Sequence, residues 1–189
     1  MKYKKSIILF CTLLLPSFLL ANSHSIPRIL YKAKKQQKLM DSTLSASPVF
    51  KKTKQQYKKW KSNWENSLNL YKTARGQEKR QLEKSILEQY KSLQSLQKKT
   101  AIKLSFLTDE IIKDLSSQKT QHFSTDKKQK FLHFFRVLRQ DFRRAQTAIR
   151  NKQFHYALVI LSHSIRGVKK LYEKLKIKYP PSLIGLRIS

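Results

Sequence analysis

Between residues 136 and 150 the chain uses arginine and no lysine: Arg136, Arg139, Arg143, Arg144 and Arg150. Elsewhere the preference is reversed, since the whole chain holds 31 lysines and 10 arginines. On a helix turning 100° per residue, Arg136, Arg139, Arg143 and Arg150 project within about 60° of one another, and Arg144 lies off that stripe. A guanidinium fork holds phosphate, sulfate or carboxylate through two parallel hydrogen bonds, whereas lysine would serve solubility equally well without that geometry. The row is therefore a candidate anion-binding ridge. Its alternative is a solvated helix flank whose arginines pair with acids of a neighbouring helix.

A second stripe carries aromatic rings. Phe50, Tyr57, Trp60, Trp64, Leu68 and Tyr71 fall inside an arc of about 80°, with Lys51, Lys52, Lys58 and Lys59 elsewhere on the helix. Tyr57, Trp60 and Trp64 are a candidate membrane or partner face, rings at the headgroup boundary and ammonium groups on anionic lipid. Core packing is the other use of such a stripe, because the neighbouring segments carry matching apolar faces.

Catalytic patterns are missing. After Glu110 the acids are Asp114, Asp126, Asp141 and Glu173, and no two sit at helical spacing to share a proton or a metal. His122, His133, His155 and His163 are scattered, without the i, i+4 pair flanking an acid that a helical zinc site uses. Gly76, Gly167 and Gly185 stand too far apart for a phosphate loop. Ser162-His163-Ser164 puts hydroxyls beside an imidazole in sequence, but neighbours on a helix point in different directions. Ser162, Ser164 and Gly167 instead suit the close approach of another helix. The expectation is a protein that is not an enzyme, with no cofactor and no metal.

Charge and the N-terminus indicate where such a ridge would work. Lys2, Lys4 and Lys5 precede an apolar stretch from Ile7 to Leu20, broken by Thr12, Pro16 and Ser17, and Ala21-Asn22-Ser23 offers small residues for cleavage after Ser23. A membrane span wants roughly 18 or more unbroken apolar residues, so residues 1–23 read as a signal peptide rather than a retained anchor. A lipoprotein signal at Cys11 is disfavoured by Phe10 before it. The chain carries Lys+Arg 41 against Asp+Glu 11, a formal net charge of +30. Removing the three leader lysines leaves 38 bases against the same 11 acids, or +27. That charge repels itself, and an anionic partner relieves it. Cys11 is the one cysteine, so a chain cleaved after Ser23 has no disulfide frame and folds by burial alone.

The elements that must position these stripes read as helices. Three glycines and five prolines occur in the whole chain, and the Lys, Gln, Leu and Glu between them favour helix over sheet. Residues 24–47 read as a basic arm and linker, partly helical and of doubtful order. A bundle follows over 48–178, with helices at 48–75, 77–117, 126–150 and 152–176. Residues 179–189 form a tail after Pro180-Pro181 ends the last helix. Helix 77–117 holds six of the eleven acids, which suggests a central place among basic neighbours. A bend or restart is expected at Thr108-Asp109-Glu110, which has the look of a helix N-terminus. In the last hairpin one helix buries Phe131, Phe134, Phe135, Leu138, Phe142, Ala145 and Ile149. The other buries Phe154, Ala157, Leu158, Leu161, Ile165, Val168 and Leu171, with Asn151 at the turn.

The turn segment Asn151-Lys152-Gln153-Phe154-His155-Tyr156-Ala157-Leu158 resembles the middle of a tetratricopeptide repeat, where a turn residue, an aromatic and an Ala-Leu pair let two helices pack closely. The resemblance implies one tight αα-hairpin, and no second copy stands at the repeat spacing. In size and charge the chain is similar to the small, basic, helical periplasmic holdases, though no motif of theirs matches it residue by residue.

The sequence thus predicts an all-α protein, a bundle of three to four long amphipathic helices in coiled-coil-like hairpins, exported to the periplasm or secreted. It is expected to bind an anionic polymer, lipid surface or acidic protein, such as acidic lipid, lipopolysaccharide or glycan. Nucleic acid is not the expected ligand, because no RNA- or DNA-binding motif is present. The alternative is a structural or chaperone-like coiled-coil protein of the envelope that acts through homo-oligomerisation.

Overall fold

The computed structural model describes residues 25–45, 50–176, 178, 179 and 183. Five helices account for most of them: α1 (Ile26–Ser45), α2 (Lys51–Thr73), α3 (Gly76–Ser117), α4 (Thr125–Arg150) and α5 (Phe154–Leu175). No strand occurs among the described residues, so the chain is all-α as its composition implies. The leader at 1–23, the Ser47-Pro48 helix start and residues 184–189 of the tail lie outside the described residues.

The chain divides into two compact units, residues 1–32 and 33–189. In the first, the described part is the opening of α1, where the Ser25 carbonyl accepts from the N–H groups of Arg28 at 2.9 Å and Ile29 at 3.2 Å.

In the second unit, the stretch read from sequence as a linker is helix, which brings the helix number to five rather than three or four. Ala33, Met40, Thr43 and Leu44 of α1 are buried. The Gln36 amide donates to the Tyr90 hydroxyl of α3 at 3.2 Å, and Thr43 Oγ1 lies 3.3 Å from Ser162 Oγ of α5. Few apolar residues among Lys34, Lys35 and Lys38 are needed for this, because small and hydroxyl side chains also fill the contact.

α2 and α3 are joined by Ala74 and Arg75 alone. Gly76 follows at φ +56°, a left-handed conformation that glycine adopts without strain and that turns the chain back. α3 then runs unbroken for 42 residues, roughly 63 Å. The expected restart at Thr108 does not occur, because its hydroxyl bonds back to the Leu104 carbonyl at 2.8 Å instead of capping a new helix. Thr100 does the same to Leu96 at 2.8 Å.

α3 packs against α2, α4 and α5, the central position its sequence implied. Three of its six acids, however, are used close by. Asp109 pairs with Lys113 of its own helix at 2.7 Å, Glu83 accepts from the Tyr71 hydroxyl of α2 at 3.1 Å, and Asp114 accepts from the Tyr172 hydroxyl of α5. Burial first, and then that carboxylate, push the Tyr172 phenol well above its ordinary value. The core lies where Leu93, Leu104 and Ile111 of α3 meet Leu138 and Ala145 of α4 and Leu158, Leu161, Ile165 and Val168 of α5, all buried.

α4 and α5 form the expected hairpin. The turn closes with Lys152 N–H on Ile149 O at 3.0 Å and Gln153 N–H on Ala148 O at 2.8 Å, the bond pattern of a Schellman C-cap. The left-handed residue is Lys152, at φ 59°, and Asn151 before it stays at φ −79°. Phe134, Phe135, Ile149 and Phe154, read as core, are half-buried. The small residues do what their size suggested. A Cβ on Gly167 would sit 3.0 and 3.1 Å from the Phe134 ring, and Ser164, buried, donates to Asp141 of α4 at 3.2 Å.

Candidate functional site

The four ridge arginines stand on the outward side of α4, and all are exposed. Their helix is held from behind by Phe131, Leu138, Phe142, Ala145 and Ala148, which are buried, so the stripe stays in solvent as a consequence of the core face opposite. Phe123, Phe131 and Phe135 form a run of rings with centroids 5.8 and 6.2 Å apart, and the Arg139 guanidinium lies 5.8 Å from the Phe135 centroid. Such a contact contributes about 0.5–1 kcal/mol at an exposed site and leaves the N–H edges of the fork free to donate.

No ion pair reaches Arg136, Arg139, Arg143 or Arg150 among the described residues. The acid nearest in sequence, Asp141, is taken by Ser164 and by Arg144 at 3.6 Å. Arg144 is thus the one arginine of the five that meets an acid, and it is the one off the stripe.

An open trough of about 570 Å³ runs along this face, lined by Leu132, Phe135, Arg136, Arg139, Gln140 and Arg143. All six belong to α4, so the trough is a furrow between side chains of one helix. Three of the four ridge residues meet there, while Arg150, at the end of the helix, does not. A second hollow of about 470 Å³ continues from Gln140 and Arg143 to Asn151, Gln153 and Tyr156 at the turn. Arg166 of α5 borders a different hollow, beside Asp141 and His163, and does not extend the ridge.

The aromatic stripe of α2 goes inward and is not a membrane or partner face. Tyr57, Trp60 and Trp64 are buried, their rings stacked with centroids 5.7 and 5.4 Å apart. Two of their polar tips are satisfied as well: Trp60 Nε1 donates to the Gln89 carbonyl of α3 at 2.7 Å, and the Tyr57 hydroxyl donates to the Gln37 carbonyl of α1 at 3.2 Å. Burial, assisted by the charge of Asp41, raises the Tyr57 phenol far above its usual range.

One concavity had no signal in the sequence. At the start of α5 a hollow of about 720 Å³ is walled by Gln36 of α1, Gln97 of α3, and Gln153, Phe154, His155 and Tyr156 of the turn and α5. Gln36, Gln97 and the turn at 152–156 lie tens of positions apart, and the repeat-like pattern of the turn segment gives no sign of a cavity. Among the described residues His122, His133 and His163 are exposed and His155 is half-buried. No group of three or more His, Cys, Asp or Glu able to hold a metal ion occurs among the described residues. No helix among them is long and apolar enough to cross a membrane. Comparison with family models, curated proteins and solved structures returns no match for this chain.

Proposed function

We propose that the protein is an exported, non-enzymatic helical binding protein, periplasmic or secreted, that engages an anionic component of the envelope through the arginine ridge of α4. The ligand class is acidic lipid, lipopolysaccharide or acidic glycan. One observation carries the reading: four exposed guanidinium groups on one helix face, none of them paired with an acid among the described residues. The leader pattern at residues 1–23 supports export.

The test is a salt titration of binding to heparin and to anionic liposomes. Affinity should fall steeply with salt, as expected when several cations displace counterions together. Changing Arg136, Arg139, Arg143 and Arg150 together to Gln should weaken binding by about 10-fold or more. Equal binding by that variant removes the ridge from the reading.

A second reading, a chaperone-like protein that oligomerises through coiled helical faces, draws on two exposed apolar side chains of long helices, Phe106 at 69% and Leu132 at 48%. Sedimentation with and without salt separates the two. A concentration-dependent oligomer that salt does not dissolve favours the second.

A further inference from the structure

We infer that the hollow at the start of α5 is a subsite for one acidic sugar unit, a pyranose bearing a carboxylate or a phosphate. Among the described residues four buried side-chain polar atoms lack a hydrogen-bond partner, and three of them belong to the walls of this hollow: Gln36 Oε1, Gln97 Nε2 and His155 Nδ1. Gln97 is 2% exposed, so water in the bulk does not reach it freely. An orphaned buried polar atom costs about 1–3 kcal/mol, and three orphans around one cavity point to an occupant that pairs with them.

The kinds of atom narrow the occupant. Gln36 Oε1 only accepts, Gln97 Nε2 only donates, and a neutral imidazole nitrogen does one or the other according to its tautomer. Burial first, and then the charge of Lys35, lower the His155 pKa, which keeps the ring neutral near pH 7. A bare carboxylate offers acceptors alone and leaves Gln36 unpaired, and inorganic phosphate, which keeps an O–H near pH 7, has no C–H face to set against a ring. Vicinal hydroxyls donate and accept at once and match the whole set. Tyr156, 55% exposed, and the half-buried Phe154 supply ring faces against which the C–H face of a pyranose can lie.

The setting is also cationic. Lys152 lines the hollow, and Lys98 Nζ lies 6.0 Å from the Phe154 centroid. No side chain caps the start of α5, so its first-turn N–H groups and the positive end of a 22-residue helix border the same space. Hydroxyl-matching amides under a positive field select a sugar that carries negative charge. The hollow shares Gln153 and Tyr156 with the one at the turn, which shares Gln140 and Arg143 with the ridge trough, so a glycan chain on the ridge leads to it. That continuity rests on the ridge reading, whereas binding of a single sugar unit does not.

Calorimetric titration of the full chain with glucuronate, glucose 6-phosphate, glucose and inorganic phosphate tests it. Both acidic sugars should bind, with glucose and inorganic phosphate each weaker by about 10-fold or more. Gln97→Leu keeps the volume and removes the amide, and should weaken both acidic sugars by about 10-fold. Tyr156→Ala, at an exposed position that the core does not need, should cost a similar factor and decides the matter if the Gln97 variant does not fold. Absence of heat with both acidic sugars, phosphate binding as tightly as glucose 6-phosphate, or wild-type affinity in Tyr156→Ala overturns the subsite. The four-arginine variant should bind glucuronate like the wild type, and loss there overturns the subsite as a separate site. Heparin binding that survives in that variant, with glucuronate still bound, sinks the ridge and leaves the subsite standing.

Discussion

α2 and α4 are built alike, each amphipathic with one stripe of side chains suited to recognition, yet one stripe is inside and the other outside. The rings of Tyr57, Trp60 and Trp64 are buried against their neighbours, and the Trp60 indole and the Tyr57 phenol each reach a carbonyl at the edge. The arginines of α4 have no such destination. Burying a guanidinium without a carboxylate costs several kcal/mol, and no acid among the described residues pairs with any of the four. What separates the two stripes is therefore the supply of partners, since both meet the same criterion of helical periodicity.

Four measurements can break or sharpen this contrast. The largest effect belongs to Trp60→Ala, which empties the middle of the ring stack and removes the indole bond to the Gln89 carbonyl; chemical denaturation should show a loss of about 3–5 kcal/mol. If the loss is below about 1 kcal/mol, the stripe is not core. Next is Gly167→Ala, which pushes a methyl into the Phe134 ring and tests whether α4 is held as closely as its core face implies. A cost of about 1–2 kcal/mol is expected in the same assay.

His155 gives the third, as an ionisable group whose charge burial suppresses, opposite to the permanently charged ridge. Its folded pKa lies below the usual 6.5, so the unfolded chain takes up the proton first. Its contribution to stability is present above that value and is lost as pH falls through it. Urea midpoints at about pH 7.5 and about pH 5 should therefore drop more for the wild type than for His155→Gln. The smallest effect is that of the four ridge arginines on folding. Their joint change to Gln should move the stability by no more than about 1 kcal/mol, because the fold leans on them only through the Arg139 contact with the Phe135 ring. A large destabilisation there would mean that the stripe is structural.

Much of this was legible in the pattern of residues. Helices read at 77–117 and 126–150 appear as Gly76–Ser117 and Thr125–Arg150, since a long apolar periodicity with Gly76 at the start of one and Asn151 at the end of the other leaves little choice of boundary. α1 was harder, because its buried apolar residues Ile29, Ala33, Met40 and Leu44 are spaced among lysines and end in a Ser/Thr/Ala stretch that is equally at home in a linker. The Thr108 restart failed for a related reason: a threonine hydroxyl can cap a helix or bond back into one, and sequence does not distinguish the two. The hollow at the start of α5 was invisible, because Gln36, Gln97 and His155 are ordinary side chains until three helices bring them together.

The chain on its own determined its helical class, its cationic excess and the angular placement of each stripe, because periodicity and composition are local properties. Whether a stripe ends in the core or in solvent was decided only by tertiary structure, since that depends on which neighbouring face offers hydrogen-bond partners and apolar cover. The same holds for the orphaned polar atoms, whose common address exists only once α1, α3 and α5 have met.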